Sequence, residues 1–95
     1  MRDRALVIQT LRELSGWLEV SPGNKQRIDQ VIARLERGPL REGERRELKR
    51  LLSHDGMFHA RWLGDVYVPD FVGEGPGIPW WNYLSKVAEI CQKNL

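Results

Sequence analysis

Two breaks cut the first half of this chain into stretches of helical period, and that punctuation limits the fold more than any other feature. Ser21-Pro22-Gly23-Asn24 and Gly38-Pro39 join residues whose backbone preferences oppose a continuing helix. Before the first break, from Arg4 to Val20, the residues Leu6, Val7, Leu11, Leu14, Trp17 and Leu18 share about 140° of arc at 100° per residue. Asp3 stands where an N-cap is needed. Ile8 falls outside that arc, beside Arg12, Ser15 and Glu19, so it is either singly exposed or part of a partner surface. Between the breaks, a helix of about residues 25–37 carries Ile28, Val31, Ile32 and Leu35 on one stripe. Gly38-Pro39 closes it, since glycine accepts the left-handed cap and proline cannot continue the ladder. A third helix, about 41–53, follows with Leu48, Leu51 and Leu52 as its apolar face and Leu40 as an N-terminal contact. Short connections between three such helices predict antiparallel packing.

Composition changes at His54-Asp55-Gly56. Seven of the eight aromatic residues lie between Phe58 and Tyr83, with Trp17 outside. Within residues 58–68, Phe58 to Leu63 and Val66 to Val68 read as two strand-forming runs around the turn Gly64-Asp65, which predicts a short β-hairpin pairing Trp62 with Tyr67. A short helix capped by Asp55 and stopped by Gly64 is the competing reading. Pro69 to Pro79 is rich in proline and glycine yet holds Phe71, Val72 and Ile78, so an ordered, packed aromatic loop is expected. A last helix, about 79–93, starts with proline near N1 and spreads Trp80, Trp81, Tyr83, Leu84, Val87, Ala88, Ile90 and Cys91 over roughly 180° of arc. That face exceeds what one neighbouring helix needs, and suggests either a central helix or a homodimer contact.

These elements make a mainly α, small single-domain bundle of about four helices. The length of 95 residues fits one domain, and 41% hydrophobic residues make a modest core feasible. The lone Cys91 excludes a disulfide within the chain. No run approaches a membrane span, and polar Gln9 follows too soon for a secretory apolar region. A cytoplasmic, reducing setting is the expectation.

Charge is uneven along the chain. Residues 1–50 hold 12 basic and 8 acidic side chains, a balance of +4, whereas residues 51–95 hold 3 and 5, a balance of −2. Arg41, Arg45 and Lys49 recur at four-residue spacing, with Arg46 and Arg50 in a parallel row. Phosphate binding needs such a row, yet Glu42, Glu44 and Glu47 share the helix and can pair with it. Nucleic-acid binding through the third helix is therefore the alternative reading.

Catalytic and metal chemistry find little support. His54 and His59, five apart, diverge by about 140° on a helix, unlike the ligands of H-E-x-x-H. With one Cys and two His no complete metal site is expected, nor any cofactor. Cys91 lies in phase with Leu84 and Val87 near a helix C-terminus, where the dipole disfavours a thiolate. Ser15, Ser21, Ser53 and Ser85 lack a nucleophile-elbow context. Gly73-Glu74-Gly75-Pro76-Gly77 resembles a phosphate-cradling loop, but Pro76 removes a donor and Glu74 repels anions. Asp65, Asp70 and Glu74 match no calcium-loop spacing.

The aromatic segment is the stronger lead, because Trp, Tyr and Arg dominate interface hot spots. Trp80 and Trp81 diverge by about 100° on a helix, so one ring is expected to stay accessible. The expected role is a non-enzymatic regulator or inhibitor that binds another protein, of the anti-activator, immunity or antitoxin kind. Trp80, Trp81 and Phe71, with Tyr67 and Arg61, would form the centre of its interface. Arg41, Arg45 and Arg46 would steer an acidic partner at the rim.

Overall fold

Asp3 starts the first helix as its chemistry requires: its Oδ1 accepts the Leu6 N–H at 3.0 Å, satisfying one of the orphan donors of a helix start. The computed structural model describes residues 2–69, 71 and 78–95. Helix α1 spans Arg4–Trp17 and tightens into a 3-10 turn at Leu18–Val20. Helix α2 spans Pro22–Glu36, α3 Glu42–Leu51 and α4 Ile78–Asn94.

The first break is narrower than its four residues suggest. Pro22 opens α2, where its missing N–H costs nothing, so Gly23 and Asn24 are helical and the chain reverses at Ser21. Asn24 Nδ2 donates to Ser21 Oγ at 2.9 Å across the corner. The second break behaves as expected, with Gly38 at a φ of 132°, a value that side-chain-bearing residues rarely adopt.

Contacts between helices run in opposite chain directions. Arg12 pairs with Glu36 while Ser15 meets Asp29 and Lys25, so α1 and α2 are antiparallel. Arg2 N donates to Asn94 O at one end of α1, and Trp17 reaches the aromatic cluster under Trp80 at the other, which makes α1 and α4 antiparallel too. One core joins Val7, Leu11, Leu14 and Leu18 of the first helical unit to Ile28, Val31, Ile32 and Leu35 of α2 and to Leu84, Val87, Ala88 and Cys91 of α4. Ile8 packs half-buried against this core rather than standing free. Most of the broad face of α4 is thus taken up within the chain, Trp81 excepted.

Helix α3 is peripheral. None of its residues is fully buried; Leu48 and Leu51 are half-buried against the core, and Leu52, just past its end, is buried. Polar ties hold it instead. Arg34 Nε and Nη2 bind the two oxygens of Glu44, each at 2.7 Å, and Glu44 also accepts the Arg41 N–H at 3.1 Å. At the other end Gln92 Nε2 donates to the carbonyls of Lys49 and Leu52, at 2.7 and 2.8 Å.

The hairpin expected at 58–68 does not form, and neither does the competing short helix. No strand occurs among the described residues; the segment coils through successive turns with a 3-10 helix at Leu63–Asp65. Its backbone donors find partners locally, Leu63 N on Met57 O at 2.9 Å, Gly64 N on His59 O at 3.1 Å and Val66 N on Leu63 O at 3.1 Å, which leaves no ladder for a second strand. Met57, Phe58 and Leu63 point into the core, a spacing of neither strand nor helix period. Most of the aromatic loop, including Asp70 and the glycine-rich Gly73 to Gly77, lies outside the described residues.

Candidate interaction face

The face is built where the turn segment meets the start of α4, and Gly56 makes that meeting feasible. A Cβ on Gly56 would fall within 2.5 Å of the Arg50 carbonyl oxygen and closer still to that of Leu51. Only a glycine lets the chain press on the end of α3, where Met57 N donates to Leu51 O at 2.8 Å. The chain then turns under α4. There the consecutive indoles Trp80 and Trp81 donate to consecutive carbonyls, Leu63 and Gly64, both at 2.8 Å. Trp62 secures the other side, its indole N–H on Asn24 Oδ1 at 2.9 Å and the Arg27 guanidinium 5.4 Å from its ring centre.

The two adjacent tryptophans end in different environments. Trp80 is 5% exposed and belongs to the core, whereas Trp81 is 50% exposed. Phe71 sits edge-on to Trp17 and Trp80, with ring centres 5.1 and 5.2 Å away, and tilted on Tyr83 at 5.1 Å. It supports the face from within rather than presenting itself at the centre. Burial, reinforced by the Glu13 carboxylate, pushes the Tyr83 phenol above its ordinary range and keeps it protonated. Tyr67, 81% exposed, lies two residues beyond the 3-10 helix that both indoles grip. Arg61 is exposed, and its backbone N–H donates to His59 Nδ1 at 3.0 Å.

Beside Trp81 runs a groove of about 250 Å³, its lining including His54, Phe58, His59, Leu84 and Ser85. Sequence spacing considered the two histidines as metal ligands and did not group them with Trp81. Gly56 was the available signal, because it folds 54–60 back towards α4. Among the described residues no group of three or more His, Cys, Asp or Glu is placed to hold a metal ion.

The rim arginines divide. Arg41 and Arg46 are exposed, Arg46 lying 3.8 Å from Glu42. Arg45 is occupied, its Nε on Glu42 at 3.0 Å and its Nη1 on the Leu95 backbone oxygen at 2.6 Å. It anchors the end of α4 rather than serving as a free cation, because the four-residue spacing of the row says nothing of what each guanidinium meets.

Two nucleophile candidates are placed in structural roles. Burial pushes the Cys91 thiol up to about 12, far from a reactive thiolate. Buried Ser15 donates to Asp29 Oδ1 and accepts from Lys25 Nζ at 2.9 Å. The Ser15 hydroxyl first, and Lys25 with it, hold the Asp29 carboxyl below its usual range, so this group is a poor base and serves to bolt α1 to α2. Comparison with protein-family models, curated proteins and solved structures gave no match.

Proposed function

We propose that this chain is a non-enzymatic regulator or inhibitor that works by binding another protein, in a cytoplasmic setting, through the face centred on Trp81. The observation that carries this reading is a half-exposed indole tied to the fold: the Trp81 N–H donates to the Gly64 carbonyl while half the residue remains open to solvent. A large apolar ring tied before binding loses less entropy on contact, which is how tryptophan hot spots act. Trp80 and Phe71 support it from below and exposed Tyr67 and Arg61 stand on the adjoining turn segment, whereas Arg41 and Arg46 lie on α3 beside the C-terminal end of α4, away from Trp81 in its first turn, and would act on an acidic partner only by long-range steering. No helix among the described residues is long and apolar enough to cross a membrane.

Affinity capture of the intact chain from its source lysate, with and without nuclease, tests the proposal. A stoichiometric protein that survives nuclease and is lost with Trp81→Ala is expected. Recovery of nucleic acid, with loss on Arg46→Ala or Arg50→Ala and not on Trp81→Ala, would move the function to α3.

A further inference from the structure

We infer that the hollow between the end of α2 and the start of α3 binds a small phosphate monoester through Arg37 and Arg41. The Trp81 face plays no part in it: Arg45, one turn into α3, is bonded to Leu95 beyond the far end of α4, whereas Trp81 lies in the first turn of α4. Arg34 and Arg37 stand one turn apart where α2 ends. Gly38 then reverses the chain at a φ of 132°, which residues with a side chain rarely adopt, and Arg41 returns at the start of α3. The three arginines line one hollow of about 490 Å³ with Gly38, Pro39 and Glu44, within the roughly 300–1,000 Å³ usual for small-molecule sites.

One carboxylate faces three guanidiniums in this hollow, and it is already occupied. Arg34 takes both oxygens of Glu44 at 2.7 Å and donates to the Pro39 carbonyl at 3.3 Å, so it forms a fixed wall. Glu44 also accepts the Arg41 backbone N–H. Among the described residues the exposed Arg37 and Arg41 side chains have no carboxylate partner. Neighbouring carboxylates are engaged elsewhere, Glu36 on Arg12 and Glu42 on Arg45; Glu47, a turn beyond Glu44, is not in the lining. The lining therefore carries three positive charges against one negative. Arg41 moreover stands at the N-cap of α3, where the helix dipole disfavours a cation and favours an anion beside it. The Arg34 fork on Glu44 shows that one carboxylate satisfies one guanidinium. Two further guanidiniums call for about two negative charges and more acceptor oxygens. A phosphate monoester supplies both, with a charge of about −1.5 to −2 at neutral pH and three terminal oxygens that accept paired bonds from arginine.

The test is an NMR titration of the whole chain with methyl phosphate at constant ionic strength, read at the backbone N–H signals of Gly38 and Leu40 and the side-chain Nε–H signals of Arg37 and Arg41. Saturable movement of these signals is expected, with a dissociation constant in the millimolar range. Arg37→Gln and Arg41→Gln should each weaken binding by roughly fivefold, the upper size of an exposed charge pair. Arg46→Gln, exposed on α3 and outside the hollow, should leave it unchanged, and unmoved indole N–H signals would show that the variants stay folded. Lowering the pH from about 7.5 to about 5 should weaken binding severalfold, because the ester takes up its second proton near pH 6 while the Glu44 carboxyl, at about 2, stays charged. Acetate moving the same signals with the same affinity would overturn the phosphate site in favour of general attraction of anions. No saturation up to about 50 mM, well beyond the millimolar scale, would overturn the site itself. An oligonucleotide that moves Arg46 and Arg50 together with Arg41, when methyl phosphate moves none of them, would overturn it in favour of nucleic acid along α3. Each of these results leaves the Trp81 face to be judged by the capture experiment.

Discussion

Trp80 and Trp81 have the same side chain, a bond to adjacent carbonyls of the same turn, and different exposure, so they separate core packing from surface contact. Trp80→Ala empties a core site and should cost about 3–5 kcal/mol. Trp81→Ala loses one hydrogen bond and part of a half-buried ring, and should cost closer to about 1 kcal/mol while removing partner capture. Urea unfolding followed by far-UV circular dichroism measures both; an equal loss of stability would return Trp81 to the core. Gly56 is decisive in another way. Any Cβ there meets backbone oxygens of Arg50 and Leu51 that cannot rotate aside, so Gly56→Ala should destabilise by about 1–3 kcal/mol, read as a lower urea midpoint with an unchanged slope. Neither the clash nor the unequal tryptophans can be seen in a residue list, because each depends on what a distant segment brings alongside.

At the level of elements, α3 stands apart: it has the most charged face, no fully buried residue and polar ties at both ends. Its amides should exchange with solvent faster than those of α1, α2 and α4, as hydrogen-exchange mass spectrometry would show. The Arg34 guanidinium, joined by the Arg41 N–H, lowers the Glu44 carboxyl from its ordinary 4.5 to about 2. A folded-state value below the unfolded one stabilises in full above the unfolded value, and that contribution fades as pH falls through the folded value. Melting temperature should therefore drop between about pH 5 and pH 2 more steeply for the native chain than for Glu44→Gln. Parallel curves would show that the pair contributes nothing, as exposed pairs sometimes do. The apolar periods of α1, α2 and α4 were legible in the sequence because helix burial follows a fixed 3.6-residue repeat. The 54–68 segment was not, because alternating apolar residues predict strands only when a partner edge exists, and here the donors close on nearby carbonyls.

In the whole molecule, α1 is the central helix, packed on both α2 and α4, while α4 is covered by α1 on one flank and gripped at its first turn by the 3-10 helix at Leu63–Asp65. This accounts for the wide apolar face that, in sequence, also suggested a homodimer. Ile78 and Trp81 remain as the large exposed apolar residues of α4. We expect sedimentation equilibrium to return a single 11.1-kDa species. A dimer dissolved by Trp81→Ala would instead assign the same face to a second copy.

By itself the sequence determined the mainly helical class, Asp3 as a cap, Gly38 as a helix stop, the stripes that became the core, and one accessible ring between Trp80 and Trp81. All follow from local rules, backbone preference and helical repeat, that act within a few residues. Tertiary structure decided which tryptophan is exposed, that Phe71 lies in an aromatic cluster, that Arg45 is tied to Leu95, and that His54 and His59 share a groove with Trp81. Most of those outcomes depend on contacts between residues far apart in the chain, 17 positions for Gly64 and Trp81, 50 for Arg45 and Leu95 and 54 for Trp17 and Phe71. Only the closing of the core brings such residues together, and no local preference encodes it.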